Sequence, residues 1–120
     1  MFEFVSEFLT ARGLPLSNAF PLELTLEELF TNVLKYGKGG DDEVAVRLGL
    51  DGNRIVLSFV EFHVEPFDIT KIPEPDLTAP AHQRRAGGMG IHLVKKFADR
   101  VTYEHEGGVS VTTITKSVER

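Results

Sequence analysis

The 120-residue sequence predicts one α+β domain, a two-layer sandwich in which helices cover one face of a mainly antiparallel sheet. Two segments with the apolar spacing of helices come first, and a pair of alternating segments joined by a turn follows them. After a long proline-containing stretch, a glycine-led helical pattern precedes a second pair of strands. The length suits one hydrophobic core, and we therefore expect a single domain over residues 1–120.

Composition excludes several classes of protein. Hydrophobic residues make up 42% and charged residues 26%, as in ordinary globular proteins. No apolar run approaches the length of a membrane span, and the first residues lack the features of a signal peptide. The absence of cysteine fits a reducing cytoplasm. The net charge of −5 argues against a nucleic-acid partner.

The first two segments are predicted to be helices. Residues 2–12 are apolar at helical spacing, and Gly13 stands where helices commonly end in the left-handed conformation. Residues 14–20 are predicted to be a connection. We expect the second helix to begin at Pro21, which suits a first turn, and to end at Gly37. Its buried stripe is predicted to comprise Leu22, Leu26, Leu29, Phe30 and Val33.

A line of polar residues runs beside that stripe. Thr25, Glu28, Asn32 and Lys35 are three or four positions apart and share one face of the helix. A carboxylate such as Glu28 can accept a proton from an attacking hydroxyl, and the amide oxygen of Asn32 is a hard ligand suited to Mg²⁺. The alternative is that the line is only the solvated shoulder of an amphipathic helix. Glu27 points to another side and is expected to be exposed.

Two hairpins are predicted. Asp51-Gly52-Asn53 is a turn signal between residues 43–50 and residues 54–64, which we expect to pair. Residues 101–106 and 109–118 form the second hairpin around a Gly-Gly turn. Alternation places these residues of the first strand on its buried side: Val44, Val46, Leu48 and Leu50.

Three glycines stand before the third helical pattern. Gly87, Gly88 and Gly90 precede a run in which Ile91, Val94 and Phe97 share one side, with Leu93 beside them. Glycine lets the backbone approach a ligand closely, and a helix start offers unpaired N–H groups and the positive end of the dipole. Both features suit a phosphate group. The alternative is an ordinary glycine-rich turn that enters a helix.

The string Gly-Gly-Met-Gly-Ile-His-Leu-Val-Lys-Lys-Phe-Ala-Asp-Arg-Val resembles the second glycine box of the GHKL ATPases. Within them it looks most like the bacterial anti-sigma factor serine/threonine protein kinases. The resemblance implies that Glu28-Leu-Phe-Thr-Asn32 is the N box, with Glu28 as general base and Asn32 as ligand of Mg²⁺ and ATP. It also implies a triphosphate held by Arg85, Gly87, Gly88, Met89, Gly90 and Ile91, and an ATP lid over residues 69–86.

The chain departs from the family pattern after the second predicted strand. Family members usually carry an aspartate that binds the adenine amino group, and a glycine two residues later. Counting back from Phe67-Asp68, these positions hold Phe62 and Val64. We expect both to face the helices and fill the core. Glu61 and His63 cannot simply replace them, because neighbouring strand residues face opposite ways, unless a bulge brings one of the two round. Val109 stands where an asparagine is frequent.

The resemblance implies an ATP-binding, anti-sigma-factor-like regulatory serine kinase of a partner-switching pathway. Its expected cofactors are ATP and Mg²⁺, and its expected partners are a sigma factor and an anti-sigma antagonist; a homodimer is compatible with it. No sensor domain, dimerisation helix pair or phosphoacceptor histidine segment is visible, which favours a stand-alone regulator over a two-component kinase. The alternative is a degenerate GHKL-fold module that binds proteins and has weak or no nucleotide binding.

Overall fold

A computed structural model describes residues 2–36, 43–62 and 88–120, and it confirms the predicted α+β architecture. The predicted lid over residues 69–86 lies outside these ranges. No helix in the described ranges is long and apolar enough to cross a membrane. The elements are α1 (Phe2–Ala11), a 3₁₀ turn (Leu16–Asn18), α2 (Ala19–Tyr36), β1 (Val44–Asp51), β2 (Arg54–Glu61), α3 (Gly88–Phe97), β3 (Arg100–Glu106) and β4 (Val109–Ser117).

The four strands form one antiparallel sheet in the order β1-β2-β4-β3. Both predicted hairpins are confirmed, and β2 and β4 join them in the middle of the sheet. The first hairpin turns through Gly52 at φ 61°, and the second through Gly107 and Gly108 at φ 59° and 78°. Tight turns between antiparallel strands need positive φ at these positions, which glycine adopts without strain.

Helix α1 ends as the sequence predicts. Gly13 adopts φ 67°, and its N–H donates to the carbonyl of Thr10 at 3.1 Å. The N–H of Leu14 donates to the carbonyl of Leu9 at 2.8 Å. These two bonds form a Schellman motif, and both leucines are buried in the core. The motif therefore ends the helix and starts the next segment inside the core.

The helices cover one face of the sheet. Ile55, Leu57 and Phe59 alternate along β2 with less buried residues and point into the core. The Phe59 ring meets Phe30 of α2 edge to face, with ring centroids 5.1 Å apart. Val94 of α3 is fully buried in the same cluster. Odd-numbered positions of β2 therefore face the helices.

Three details differ from the sequence-based expectations. Helix α2 begins at Ala19, two residues before Pro21, because the 3₁₀ turn leads directly into it. Leu93 is 46% exposed and Leu50 is 41% exposed, so neither belongs to the core. Strand β2 ends at Glu61, before the predicted end at residue 64.

Hydrogen bonds join the residue before α2 to the carboxyl end of the chain. The buried Asn18 side chain donates to the carbonyls of Pro15 and Glu119 at 2.8 and 2.9 Å, and accepts from the N–H of Glu119 at 2.8 Å. These bonds place the beginning of α2 beside the end of β4, where Ser117 pairs with Arg54.

Candidate functional site

The polar line of α2 contains residues with different surroundings. Thr25 is 1% exposed, and its hydroxyl donates to the Pro21 carbonyl at 2.7 Å. A threonine that satisfies its hydroxyl within its own helix is a core residue. Glu28 is half-buried, and its Oε2 atom is buried. Glu27 is exposed, as predicted. Glu28 is therefore more than a solvated shoulder residue.

Helix α2 runs along β2 toward the far end of that strand. It starts beside Arg54 through the Asn18–Glu119 bonds, and Phe30 contacts Phe59. The helix rises about 17 Å from Ala19 to Phe30, and the strand rises about 17 Å from Arg54 to Phe59, so the two distances agree. The backbone of Asn32 follows Phe30 in the direction of Glu61.

The glycine box forms the first turn of a helix. Gly88 is the first residue of α3, and Gly90 is the third. The N–H groups of this turn have no partner within the helix, and the positive end of the dipole lies there. Helix α3 packs against α2, so the two predicted motifs lie on neighbouring helices. Arg85 and Gly87 lie outside the described residues, as do the side chains of Asn32, Met89 and Ile91.

A row of polar side chains crosses the helix-facing side of the sheet. Glu61, Ser110 and His105 are direct cross-strand partners on β2, β4 and β3, and we call them the polar row. Ser110 is 2% exposed. Its Oγ lies 2.8 Å from His105 Nδ1 and 2.9 Å from Tyr103 Oη.

The adjacent row pairs Phe59, Thr112 and Tyr103. Because Phe59 points into the core, this face of the sheet is the one that the helices cover. Sequence reasoning missed the polar row. The spacing Tyr-x-His on β3 and Ser-x-Thr on β4 carried a signal, since residues two apart share a face.

The register predicted around Phe62 is wrong. Odd-numbered residues of β2 face the helices, so Glu61 continues the series of Ile55, Leu57 and Phe59. Phe62 follows the last residue of the strand, and its N–H donates to the carbonyl of Glu43 at 3.0 Å. No bulge is needed to bring Glu61 to the helix-facing side. Val64 lies outside the described residues.

A family profile described as histidine kinase-like ATPase domain matches residues 1–116. The match covers nearly the whole chain and includes both predicted motifs. The chain belongs to this family. Within this family match, the helix that carries the predicted N box packs beside the helix that carries the predicted glycine box, over one antiparallel sheet.

Two histidine kinases are similar to this chain. The sensor histidine kinase YxdK of Bacillus subtilis is 28% identical to this ATPase domain over 86 residues, 68% of this chain and 26% of the kinase. The structure of the histidine kinase AdeS of Acinetobacter baumannii matches with a TM-score of 0.58 at 17% identity, over 85% of this chain and 48% of that one. The latter likeness shows a shared fold. The domain spans about a quarter of the first protein and about half of the second.

Proposed function

We propose that this domain binds ATP with Mg²⁺ and transfers the γ-phosphoryl group to a serine of a regulatory partner protein. The single observation that carries the nucleotide part is the placement of Glu61 beside Ser110 on the helix-facing side of the sheet. The family match supports an ATP-binding role for a chain with this fold. The polar row supplies the base-recognition groups that the sequence had suggested were lost.

The chemistry of the polar row suits adenine. The adenine amino group needs an acceptor, which the ionised carboxylate of Glu61 provides. Ser110 adds a hydroxyl that can donate or accept in a buried setting. A carboxylate repels the carbonyl that guanine presents at the corresponding edge. We therefore expect ATP to bind more tightly than GTP, with Glu61 in the role that the family gives to aspartate.

The remaining groups of the domain suit the phosphates and the metal. The first turn of α3 presents N–H groups, and Arg85 adds positive charge for the triphosphate. Asn32 would hold Mg²⁺, which when bound neutralises charge on the phosphates. The buried oxygen of Glu28 would orient the acceptor hydroxyl and accept its proton.

The choice of a serine acceptor rests on the resemblance to anti-sigma factor kinases. In this proposal the phosphorylated partner is an antagonist protein, and the second partner is a sigma factor. A seryl phosphate ester survives acid, whereas a phosphohistidine is hydrolysed. When an anti-sigma antagonist with an accessible serine is offered with γ-labelled ATP and Mg²⁺, we expect acid-stable label on it. Acid-labile label on a histidine would contradict the serine assignment.

Isothermal titration calorimetry with ATP and with GTP tests base recognition. Glu61→Ala removes the acceptor, and we expect ATP affinity to fall about tenfold or more while GTP affinity does not fall. The matched control is Glu104→Ala, which removes an exposed carboxylate from the other face of β3. Equal losses for both nucleotides in Glu61→Ala, or no loss of ATP affinity, would contradict the assignment.

A further inference from the structure

The outer edge of β1 lacks the usual protection against strand pairing in the described part of the chain. β1 pairs with β2 on one side, and no other described strand pairs with it. Its eight residues are in unbroken register with β2, without proline, and Arg47 is the one charged residue before the terminal Asp51. Charges, proline and bulges protect most edge strands. The opposite edge strand, β3, carries Arg100, Glu104 and Glu106, so β1 is the edge that can accept another strand.

The free backbone groups of this edge belong to the even-numbered residues of β1. The N–H of Phe62 donates to the carbonyl of Glu43 at 3.0 Å, and opposite residues of antiparallel strands exchange bonds at every second pair. The even-numbered residues therefore direct their N–H and C=O groups away from β2. Their side chains lie on the helix-facing side, where Val46 and Leu48 pack against the core and Leu50 is exposed.

An apolar groove lies next to this edge. It is lined by side chains from α1, α2 and β1: Phe4, Leu26, Phe30 and Val46. Phe4 is 41% exposed, and Leu50 is exposed to the same extent, four residues beyond Val46 on the same side of β1. An apolar side chain that entered the groove from outside would remove apolar surface from water, which is favourable in proportion to the area buried.

We propose that two copies of this chain pair through β1, antiparallel and about a two-fold axis at Leu48. Leu50 of each copy then lies opposite Val46 of the other, which lines the groove. Three pairs that exchange two bonds each give about six main-chain hydrogen bonds across the axis. A two-fold interface is self-complementary, so both grooves are covered in the same way. The two four-stranded sheets become one continuous sheet, and this pairing requires no nucleotide.

Charge favours this register over its neighbours. An axis at Arg47 would place that residue opposite its own copy, and like charges directly opposite each other are unfavourable. An axis at Gly49 would pair fewer residues of the strand. The axis at Leu48 places Arg47 diagonal to Asp51 of the second copy, within reach of a long side chain, and both residues are exposed in one copy. Opposite charges therefore meet twice across the axis, as a second copy of this chain allows.

Sedimentation velocity of the whole chain at increasing concentration measures the assembly. We expect a monomer of 13.3 kDa in equilibrium with a species of twice that mass. Leu50→Lys places a charge in the apolar contact and should weaken the dimer about tenfold or more. The matched control is Leu93→Lys, which changes a leucine of similar exposure on α3 and should leave the dimer unchanged. A wild type that stays monomeric, with the edge left to an extended segment of another protein, would overturn the proposal, as would equal weakening by both variants.

Disulfide cross-linking tests the register. The chain contains no cysteine, so introduced cysteines report on one pair of positions. Arg47 and Gly49 of opposite copies form a pair without hydrogen bonds, whose Cα atoms lie about 4.5 Å apart, within the range of a disulfide. A mixture of Arg47→Cys and Gly49→Cys chains should therefore form the mixed disulfide in preference to either symmetric one. A symmetric disulfide of one variant as the main product would overturn the proposed pairing.

Discussion

Glu27 and Glu28 are adjacent in sequence but have different surroundings. The side chain of Glu27 is exposed, whereas Glu28 is half-buried with a buried carboxylate oxygen. Burial of one oxygen restricts where the carboxylate can lie, and a general base must lie within hydrogen-bond reach of the proton that it accepts. This contrast, on one turn of one helix, is what supports Glu28 as the residue that accepts the proton of the attacking hydroxyl.

Glu28→Gln should reduce phosphoryl transfer about a hundredfold to ten-thousandfold and leave nucleotide affinity nearly unchanged, because glutamine keeps the shape but cannot accept the proton. Single-turnover ATP hydrolysis, with water in place of the serine hydroxyl, measures the effect. Glu27→Gln is the control and should behave as the wild type does. Undiminished turnover in Glu28→Gln would mean that the buried carboxylate has a structural role only.

At the scale of the elements, Gly13 follows the end of α1 and Gly49 lies within β1, and alanine substitutions at these two positions should change the stability in opposite directions. Gly13 terminates α1 at φ 67°, and a Cβ added there would meet nothing within 4 Å. Gly49 lies within β1, and a Cβ would again meet nothing within 4 Å, although its φ lies outside the positive range. Backbone conformation is therefore the main difference between the two positions.

Gly13→Ala should lower the free energy of unfolding by about 1 kcal/mol, because alanine is strained at positive φ. Gly49→Ala should raise it by about 0.5 kcal/mol, since alanine loses less backbone entropy on folding. Urea unfolding of the two variants and the wild type measures both changes. Equal effects of the same sign would contradict the Schellman termination of α1.

The connection between α3 and β3 is held by a carboxylate. Asp99 accepts from the hydroxyl and the N–H of Ser117 at 2.5 and 2.6 Å, at the end of β4. The hydrogen bond from the Ser117 hydroxyl lowers the pKa of Asp99 most, followed by the backbone bond, with smaller effects from the charges of Lys116 and Arg54. Desolvation opposes them only in part.

This lowered pKa predicts acid sensitivity. The folded-state pKa of Asp99 lies below the unfolded value of about 3.9, so its contribution is fully present above that pH and is lost as pH falls through the folded-state pKa. Asp99→Asn should therefore make the free energy of unfolding fall less steeply as the pH drops below about 4, and Ser117→Ala should have part of the same effect. Urea midpoints across the acid range measure this. If the free energy of unfolding falls as steeply with pH in Asp99→Asn as in the wild type, the role of Asp99 is contradicted.

For the whole molecule, local patterns predicted the elements, whereas the geometry of the site depended on strand pairing. The Gly13 termination and both hairpin turns follow from short segments with strong backbone preferences. The side of the sheet on which Glu61 lies cannot be predicted in this way. The family's aspartate position was found by counting back from Phe67, across a segment whose length need not match that of other family members. Burial of Ile55, Leu57 and Phe59 fixes that facing directly.

The Tyr103–Ser110–His105 cluster could not be located from one strand alone. It requires the register of β3 on β4, which the Gly107–Gly108 turn sets through positive φ at both residues. Thr25 was predicted to belong to the polar line but is a core residue. Helical spacing predicts the face on which a residue lies, but not whether its hydroxyl forms a hydrogen bond within its own helix.

Equilibrium unfolding of the wild-type domain with and without ATP and Mg²⁺ tests the central claim of nucleotide binding most directly. A ligand that binds only the folded state at about a hundred times its dissociation constant raises the free energy of unfolding by about 2.7 kcal/mol. We predict an increase of this size with ATP and a smaller one with GTP at the same concentration. An unfolding transition that excess ATP and Mg²⁺ leave unchanged would contradict the account.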